Sequence, residues 1–234
     1  KIDDACKDDD VKVIVLTGSG RGFSAGADMD NLSDISANNR EENPDQPEDR
    51  NYETNGLSEW EGTYSYFPSV PKPIIAAING YCLGGGMTML FATDIRIAAE
   101  HATFGLSEVK RGVVPANGGT QRVLSQLPYA IGMEMLLTGD RWDAKTAAKW
   151  GLINKVVPAG NLMDTALEYA SRVAANAPLA LQAAKELAVR AREMDLTTGL
   201  RVEALTQRLL KFTEDAKEGP AAFKEKRSPN FKGK

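Results

Sequence analysis

The chain is poor in the residues that most often carry nucleophilic and metal chemistry. It holds one histidine, His101, and two cysteines, Cys6 and Cys82, in 234 residues. A Ser/His/Asp triad would have to use His101, and no Gly-x-Ser-x-Gly elbow accompanies it. His101 is therefore read as structural or exposed. No His, Cys and carboxylate cluster has metal-ligand spacing, so no metal is expected. Two lone cysteines give no disulfide framework and suit a reducing compartment. No apolar run is long enough to span a membrane. An excess of positive charge is also missing. Twenty-eight Lys and Arg stand against 32 Asp and Glu, for a net charge of −4, which argues against nucleic acid as the main partner. The basic residues that do cluster are Lys224, Lys226, Arg227, Lys232 and Lys234, either a solvated tail or a local phosphate site. The chain opens on Lys1, and Lys1 to Asp10 reads as the end of a helix. Any targeting signal is then expected upstream, with the cytoplasm as the expected compartment and an organellar matrix as the alternative.

What is present is an α/β rhythm. Val11 to Thr17 is short, apolar and β-branched, and reads as a buried strand. Pro73 to Asn79, Ile95 to Ala99 and Ile153 to Val157 read the same way. Strand, small-residue turn, helix and strand in succession imply parallel pairing. From about Gly118 the chain turns helical. Gly118 to Leu127, Tyr129 to Thr138 and Asp143 to Trp150 read as short helices. Asn161 to Asn176, Pro178 to Met194 and Leu196 to Asp215 read as longer amphipathic ones, with Gly219-Pro220 breaking the pattern before a last short helix near Arg227. Residues 1–160 are thus expected to form the core and 161–234 a helical region. Ser33 to Gly62, rich in Asn, Asp, Glu and Pro, reads as a variable loop or a substrate lid.

Gly84-Gly85-Gly86 is the most informative stretch. It joins the apolar run at Pro73 to Asn79 to a helix beginning near Met87. Such a turn lets a ligand approach the backbone and leaves unpaired N–H groups at a helix start. No lysine follows as it would in a phosphate-binding loop, and no Gly-x-Gly-x-x-Gly opens the helix, so nucleotide hydrolysis and dinucleotide binding are not expected. Stabilisation of a developing oxyanion is left. A second small-residue turn, Ala25-Gly26-Ala27-Asp28, can supply another N–H. Glu108 follows the third strand in a mostly apolar sequence. Partial desolvation there would raise its pKa and suit it to proton transfer near neutral pH.

Together these residues resemble the enoyl-CoA hydratase/isomerase (crotonase) superfamily. Phe23-Ser24-Ala25-Gly26-Ala27-Asp28 resembles its first signature, and Ala77 to Gly86 its second. Phe104-Gly105-Leu106-Ser107-Glu108, with Gly112, Pro115 and Gly118 to Arg122, resembles its third. Leu137-Thr138-Gly139, Ala147, Gly151-Leu152-Ile153 and Ala222 to Arg227 continue in the family's order. The resemblance implies a crotonase-like spiral of β-β-α units with a helical C-terminal trimerisation region, as a homotrimer or hexamer. It implies an acyl-coenzyme A substrate of the kind met in fatty acid metabolism, and no bound cofactor, because coenzyme A is part of the substrate. Oxyanion donors would be the N–H groups of Ala27 and Gly85. Ala25, Ala27, Asp28, Met29, Asp30, Gly84 and Gly85 would contact substrate, and Glu108 would transfer the proton.

One position departs from the pattern. Hydratases of the family pair the Glu108 carboxylate with a second glutamate, and this chain has Thr88 there. Threonine is no base near neutral pH, although its hydroxyl can position a water. The expected function is therefore an enoyl-CoA hydratase-like lyase working with one glutamate, Glu108, and with Thr88 orienting water or substrate. An enoyl-CoA isomerase is the alternative. A thioester hydrolase, decarboxylase or carbon–carbon lyase also remains, as does a non-catalytic acyl-CoA-binding protein.

Overall fold

The computed structural model describes residues 1–26 and 70–234. The segment read as a loop or lid, Ser33 to Gly62, and the candidates Ala27, Asp28, Met29 and Asp30 lie outside the described residues. The described elements follow in order: α1 (Ile2–Lys7), β1 (Ile14–Thr17), β2 (Gly22–Ser24), β3 (Ile74–Ile78), β4 (Tyr81–Leu83) and α2 (Gly85–Leu90). Next come β5 (Ile95–Ala99), β6 (Thr103–Gly105), a 3-10 turn (Glu108–Arg111), α3 (Gly119–Gln126), α4 (Tyr129–Thr138), β7 (Trp142–Asp143), α5 (Ala144–Lys149) and β8 (Lys155–Val157). A second 3-10 turn (Ala159–Asn161) leads into α6 (Leu162–Ala174), α7 (Pro178–Arg190), α8 (Leu196–Leu210) and α9 (Asp215–Glu225).

Strands β1 to β6 alternate between two four-stranded sheets. One sheet has the order β1-β3-β5-β8 and the other β2-β4-β6-β7. Each pair of strands up to β6 therefore adds one strand to each sheet, as in the expected spiral, and β7 and β8 complete the second and first sheets in turn. The first sheet is built from the four aliphatic runs visible in the sequence. Every residue of β3 is buried, because the strand is covered on both faces, and a run such as Ile74-Ile75-Ala76-Ala77-Ile78 has no polar face to expose. Burying an isoleucine side chain fully contributes roughly 1.5–3 kcal/mol.

The second sheet is short and sits at the heart of the site. β2, β4 and β6 run parallel. Tyr81, Cys82 and Leu83 lie opposite Thr103, Phe104 and Gly105. Gly22 lies opposite Tyr81 and Ser24 opposite Cys82, so Phe23 is an extra residue, a β-bulge. β7 closes the sheet antiparallel to β6, with Trp142 opposite Phe104.

The chain divides into two compact units. Among the described residues the larger comprises 16–26 and 76–165. Its core gathers Phe104, Met87, Leu90, Val123, Met135 and Leu152, all essentially inaccessible. Arg96 is buried beside them, with its guanidinium donating to Thr93 O at 3.1 Å and Gln126 Oε1 at 2.6 Å. Asp143 caps α5 by accepting from Thr146 N–H at 2.7 Å. Cys82 is fully buried and burial pushes its thiol far up, which makes it inert packing.

The second unit comprises residues 1–15, 70–75 and 166–234. In it Lys72, itself buried, donates its ammonium to the carbonyls of Ala5 and Asp8 at the end of α1. Its helical end differs from expectation in one place. The run Leu196 to Asp215 ends as a helix at Leu210, and α9 then passes through Gly219 and Pro220 without a break. Thr213 makes the real break. Its hydroxyl donates to Leu210 O at 2.8 Å and accepts from Ala216 N–H at 3.1 Å, a local side-chain turn that competes with the helix. Pro220 stands at the middle of α9, where it removes the backbone bond to the Ala216 carbonyl while the helix continues on both sides. No described helix is long and apolar enough to cross a membrane.

Asp215 anchors the C-terminal residues. Its buried carboxylate accepts from Lys232 N–H at 2.7 Å and Gly233 N–H at 2.8 Å. Asp215→Ala should cost about 2 kcal/mol, read as a lower Tm with faster proteolysis of the last residues. An unchanged Tm would show that these two bonds contribute nothing net.

Candidate active site

Three sequence-distant motifs meet because β2, β4 and β6 are parallel neighbours. Their C-terminal ends lie level, about 4.8 Å apart from strand to strand. The end of β2 runs into Ser24-Ala25-Gly26, the end of β4 into Gly84-Gly85, and the end of β6 into Leu106-Ser107-Glu108. The ladder extends one bond beyond β4, with Gly84 N–H donating to Gly105 O at 2.9 Å.

The first two turns touch through their backbones. Gly26 has φ +96°, and a Cβ built on it would lie 3.1 Å from Leu83 O and 3.3 Å from Gly85 N. A side chain there would be strained and would occupy the approach to the Gly85 N–H. Gly84 has φ +53° and precedes α2. Its carbonyl accepts from Met87 and Thr88 N–H, at 2.8 and 3.1 Å. The Gly85 N–H makes no hydrogen bond among the described residues. With only six residues in α2, the donor is this single peptide group rather than a helix macrodipole.

Glu108 reaches the same place from the other side. Its Oε1 is 3.3 Å from the point where a Gly84 Cβ would stand. Its Oε2 is buried and has no partner among the described residues. Burial pushes the Glu108 carboxyl above the ordinary glutamate range, while its own backbone N–H and the charge of Arg111 pull it partly back. A carboxylate of this kind is half-buried, weakly solvated and free to exchange a proton.

Thr88 lies one helical turn beyond Gly84. It is 1% exposed, and its hydroxyl is the second buried oxygen of the site with no partner among the described residues. The space in front of it is kept by Gly119, where a Cβ would come within 2.7 Å of Thr88 Oγ1. An unsatisfied buried hydroxyl has a free-energy cost, and a bound molecule that pairs with it removes that cost.

Of the expected site residues, Gly84, Gly85 and Glu108 converge, and Ala25 stands exposed beside them. Ala27, Asp28, Met29 and Asp30 follow Gly26 outside the described residues. Gly26 and Gly119 were read from the sequence only as members of the first and third signatures, with no role of their own. Their contacts emerge only in the structure, Gly26 against Leu83 and Gly85 and Gly119 against Thr88. His101 is exposed, with Nε2 3.1 Å from Asn79 O. In the basic tail, Arg227 is engaged by Glu218 at 2.6 and 2.9 Å and by Glu225 at 2.6 Å. No group of three or more metal-ligating side chains occurs among the described residues.

Comparison with known proteins identifies the family and the fold. The family model described as enoyl-CoA hydratase/isomerase matches residues 2–234. The chain is 35% identical to 2,3-dehydroadipyl-CoA hydratase of Escherichia coli, over 100% of this chain and 86% of that protein. It is 39% identical to carnitinyl-CoA dehydratase of Proteus mirabilis, over 97% of this chain and 84% of that protein. Among solved structures it matches the enoyl-CoA hydratase of Bacillus anthracis with a TM-score of 0.84 and 36% identity, covering 100% of this chain and 86% of the other.

The raised Glu108 pKa has a definite sign in stability. Between its unfolded and folded pKa values the folded state holds the extra proton, so stability falls as pH rises through that window. Above the window the whole penalty persists. Glu108→Gln should therefore be at least as stable as wild type at neutral pH, with the difference closing at acidic pH, in paired denaturant titrations. A variant less stable than wild type at neutral pH would contradict this burial account.

Proposed function

Since this chain belongs to the enoyl-CoA hydratase/isomerase family, we propose that it works as a hydratase-like lyase, adding water to a 2-enoyl-CoA thioester with one glutamate. The observation that carries this reading is the pair of buried, unpartnered oxygens, Glu108 Oε2 and Thr88 Oγ1, near an open Gly85 N–H. Thioester oxygen, water and proton each then have a matching group.

The ionised Glu108 carboxylate takes a proton from water as the water oxygen bonds to Cβ. The electron pair of the double bond moves through Cα onto the thioester oxygen, which becomes an enolate. The N–H groups of Gly85 and Ala27 hold that oxygen, and losing one such donor typically costs about 3 kcal/mol of transition-state stabilisation. Glu108 then returns its proton to Cα, and the enolate collapses to the thioester. Because one carboxylate handles both transfers, hydrogen and hydroxyl arrive on the same face. Thr88 orients the water in place of a second carboxylate. No cofactor is needed, since every bond change is a proton transfer or an addition of water.

Ala25 and Ala27 to Asp30 would line the coenzyme A path as the chain leaves β2. Exposed Leu196, Leu200, Leu209, Phe212 and Phe223 on and beside the last helices support assembly as a homotrimer or hexamer. The acyl group does not carry over from relatives, whose names cite a dicarboxylic acyl chain in one case and carnitinyl in another.

Turnover of 2-enoyl-CoA in heavy-oxygen water tests the reaction. The expected product gains one labelled oxygen at Cβ. A shifted double bond without label would mean an isomerase instead. Glu108→Gln should lower kcat about 10²- to 10⁴-fold. Thr88→Val should lower kcat about tenfold with KM little changed, while its Tm holds or rises because an unsatisfied hydroxyl is gone. Full kcat in Thr88→Val would remove the hydroxyl from the mechanism.

A further inference from the structure

Glu108 is not the last functional group along this end of the sheet. β7 is antiparallel to β6, with Thr103 opposite Asp143 and Phe104 opposite Trp142. Continuing that register brings Arg141 opposite Gly105, and a Cβ on Gly105 would indeed lie 3.5 Å from Arg141 Cγ. The N-terminal end of β7 is thus level with the C-terminal end of β6. Across the sheet the order at this edge is Gly26, Gly84-Gly85, Glu108, then Arg141.

Beside Glu108 at this edge is an open recess of about 430 Å³ lined by Ser107, Lys110, Arg111, Gly139 and Arg141. Its three charged side chains are all cationic. The Arg111 guanidinium is steadied by Ser107 O at 3.1 Å. Lys110 is held by Asp140 at 2.6 Å. The Arg141 guanidinium has no ion pair or hydrogen bond among the described residues. With Asp140 counted against Lys110, two positive charges remain uncompensated by it. Gly139 keeps the recess tight against the 3-10 turn, since a Cβ there would come within 3.1 Å of Val109 and 3.2 Å of Lys110.

We propose that this recess is a carboxylate subsite, and that the enzyme favours a short acyl-CoA whose far end carries a carboxylate. The inference rests on the reading that the thioester oxygen lies at Gly85 and the reacting carbons at Glu108. Two strand spacings, about 10 Å, then separate the thioester from the β7 edge, the span of a short acyl chain. A planar guanidinium matches a carboxylate with two parallel hydrogen bonds, and Arg141 has its donors free for them. Arg111 lies between the subsite and Glu108, where its charge already acts on that carboxyl. A tail carboxylate on the recess would offset part of that charge.

The test compares a six-carbon 2-enedioyl-CoA with 2-hexenoyl-CoA as substrates for wild type, Arg141→Gln and Arg141→Lys. Wild type should favour the dicarboxylic substrate by about tenfold or more in kcat/KM, chiefly through KM. Arg141→Gln should reduce that ratio about tenfold, and Arg141→Lys should restore part of it. A ratio near one in wild type, or one untouched by Arg141→Gln, would overturn the subsite. The same pair is run with dephospho-coenzyme A thioesters. If Arg141→Gln weakens both acyl chains equally and abolishes discrimination against the dephospho form, the recess serves the nucleotide phosphate and the proposal is wrong. Failure to turn over either substrate would instead fall on the acyl-CoA reading itself. Circular dichroism and Tm of the variants separate loss of selectivity from loss of fold.

Discussion

Everything at the site depends on the parallel pairing of three strands that are only three residues long each. β2, β4 and β6 contribute few hydrogen bonds, yet their register brings Gly26, Gly85 and Glu108 to one edge. The bulge at Phe23 matters here. It makes two residues of β2 oppose one of β4, which alters the path by which Gly26 comes against Leu83 and Gly85. Two glycine turns can meet this closely only without side chains between them.

The site's electrostatics follow from that packing. A weakly solvated carboxyl holds its proton more tightly, and Glu108 is half-buried beside backbone rather than beside another acid. The second acid expected of a two-glutamate hydratase is replaced by Thr88, which carries no charge to repel Glu108. In the proposed mechanism a single carboxylate accepts and returns the same proton. The raised pKa suits that double duty, because a base that is too weak cannot take the proton and one that is too strong cannot give it back. Arg111 limits how far the pKa climbs.

Much of the fold could be read from composition and pattern, but unevenly. The first sheet is made of Ile14–Thr17, Ile74–Ile78, Ile95–Ala99 and Lys155–Val157, and each lies in an aliphatic run long enough to register. The second sheet could not be seen this way. Two or three residues such as Tyr81–Leu83 or Trp142–Asp143 cannot display a period of two, and their pairing is set by the spiral rather than by propensity. Gly84-Gly85 and Glu108 were legible because their residue types are unusual for their positions. The packing of Gly26 and Gly119 was not, since each meets a neighbour far away in sequence. Pro220 misled because a proline inside a helix can remove one bond without ending it.

The central claim is that a thioester oxygen sits in the glycine turn and becomes more negative there. Isotope-edited infrared difference spectroscopy of a bound 2-enoyl-CoA labelled at the thioester carbonyl measures this directly. A polarised carbonyl, with its stretch shifted to lower frequency than in water and the shift reduced in Gly26→Ala, is the predicted result. A bound carbonyl that absorbs where it does in free solution would contradict the account.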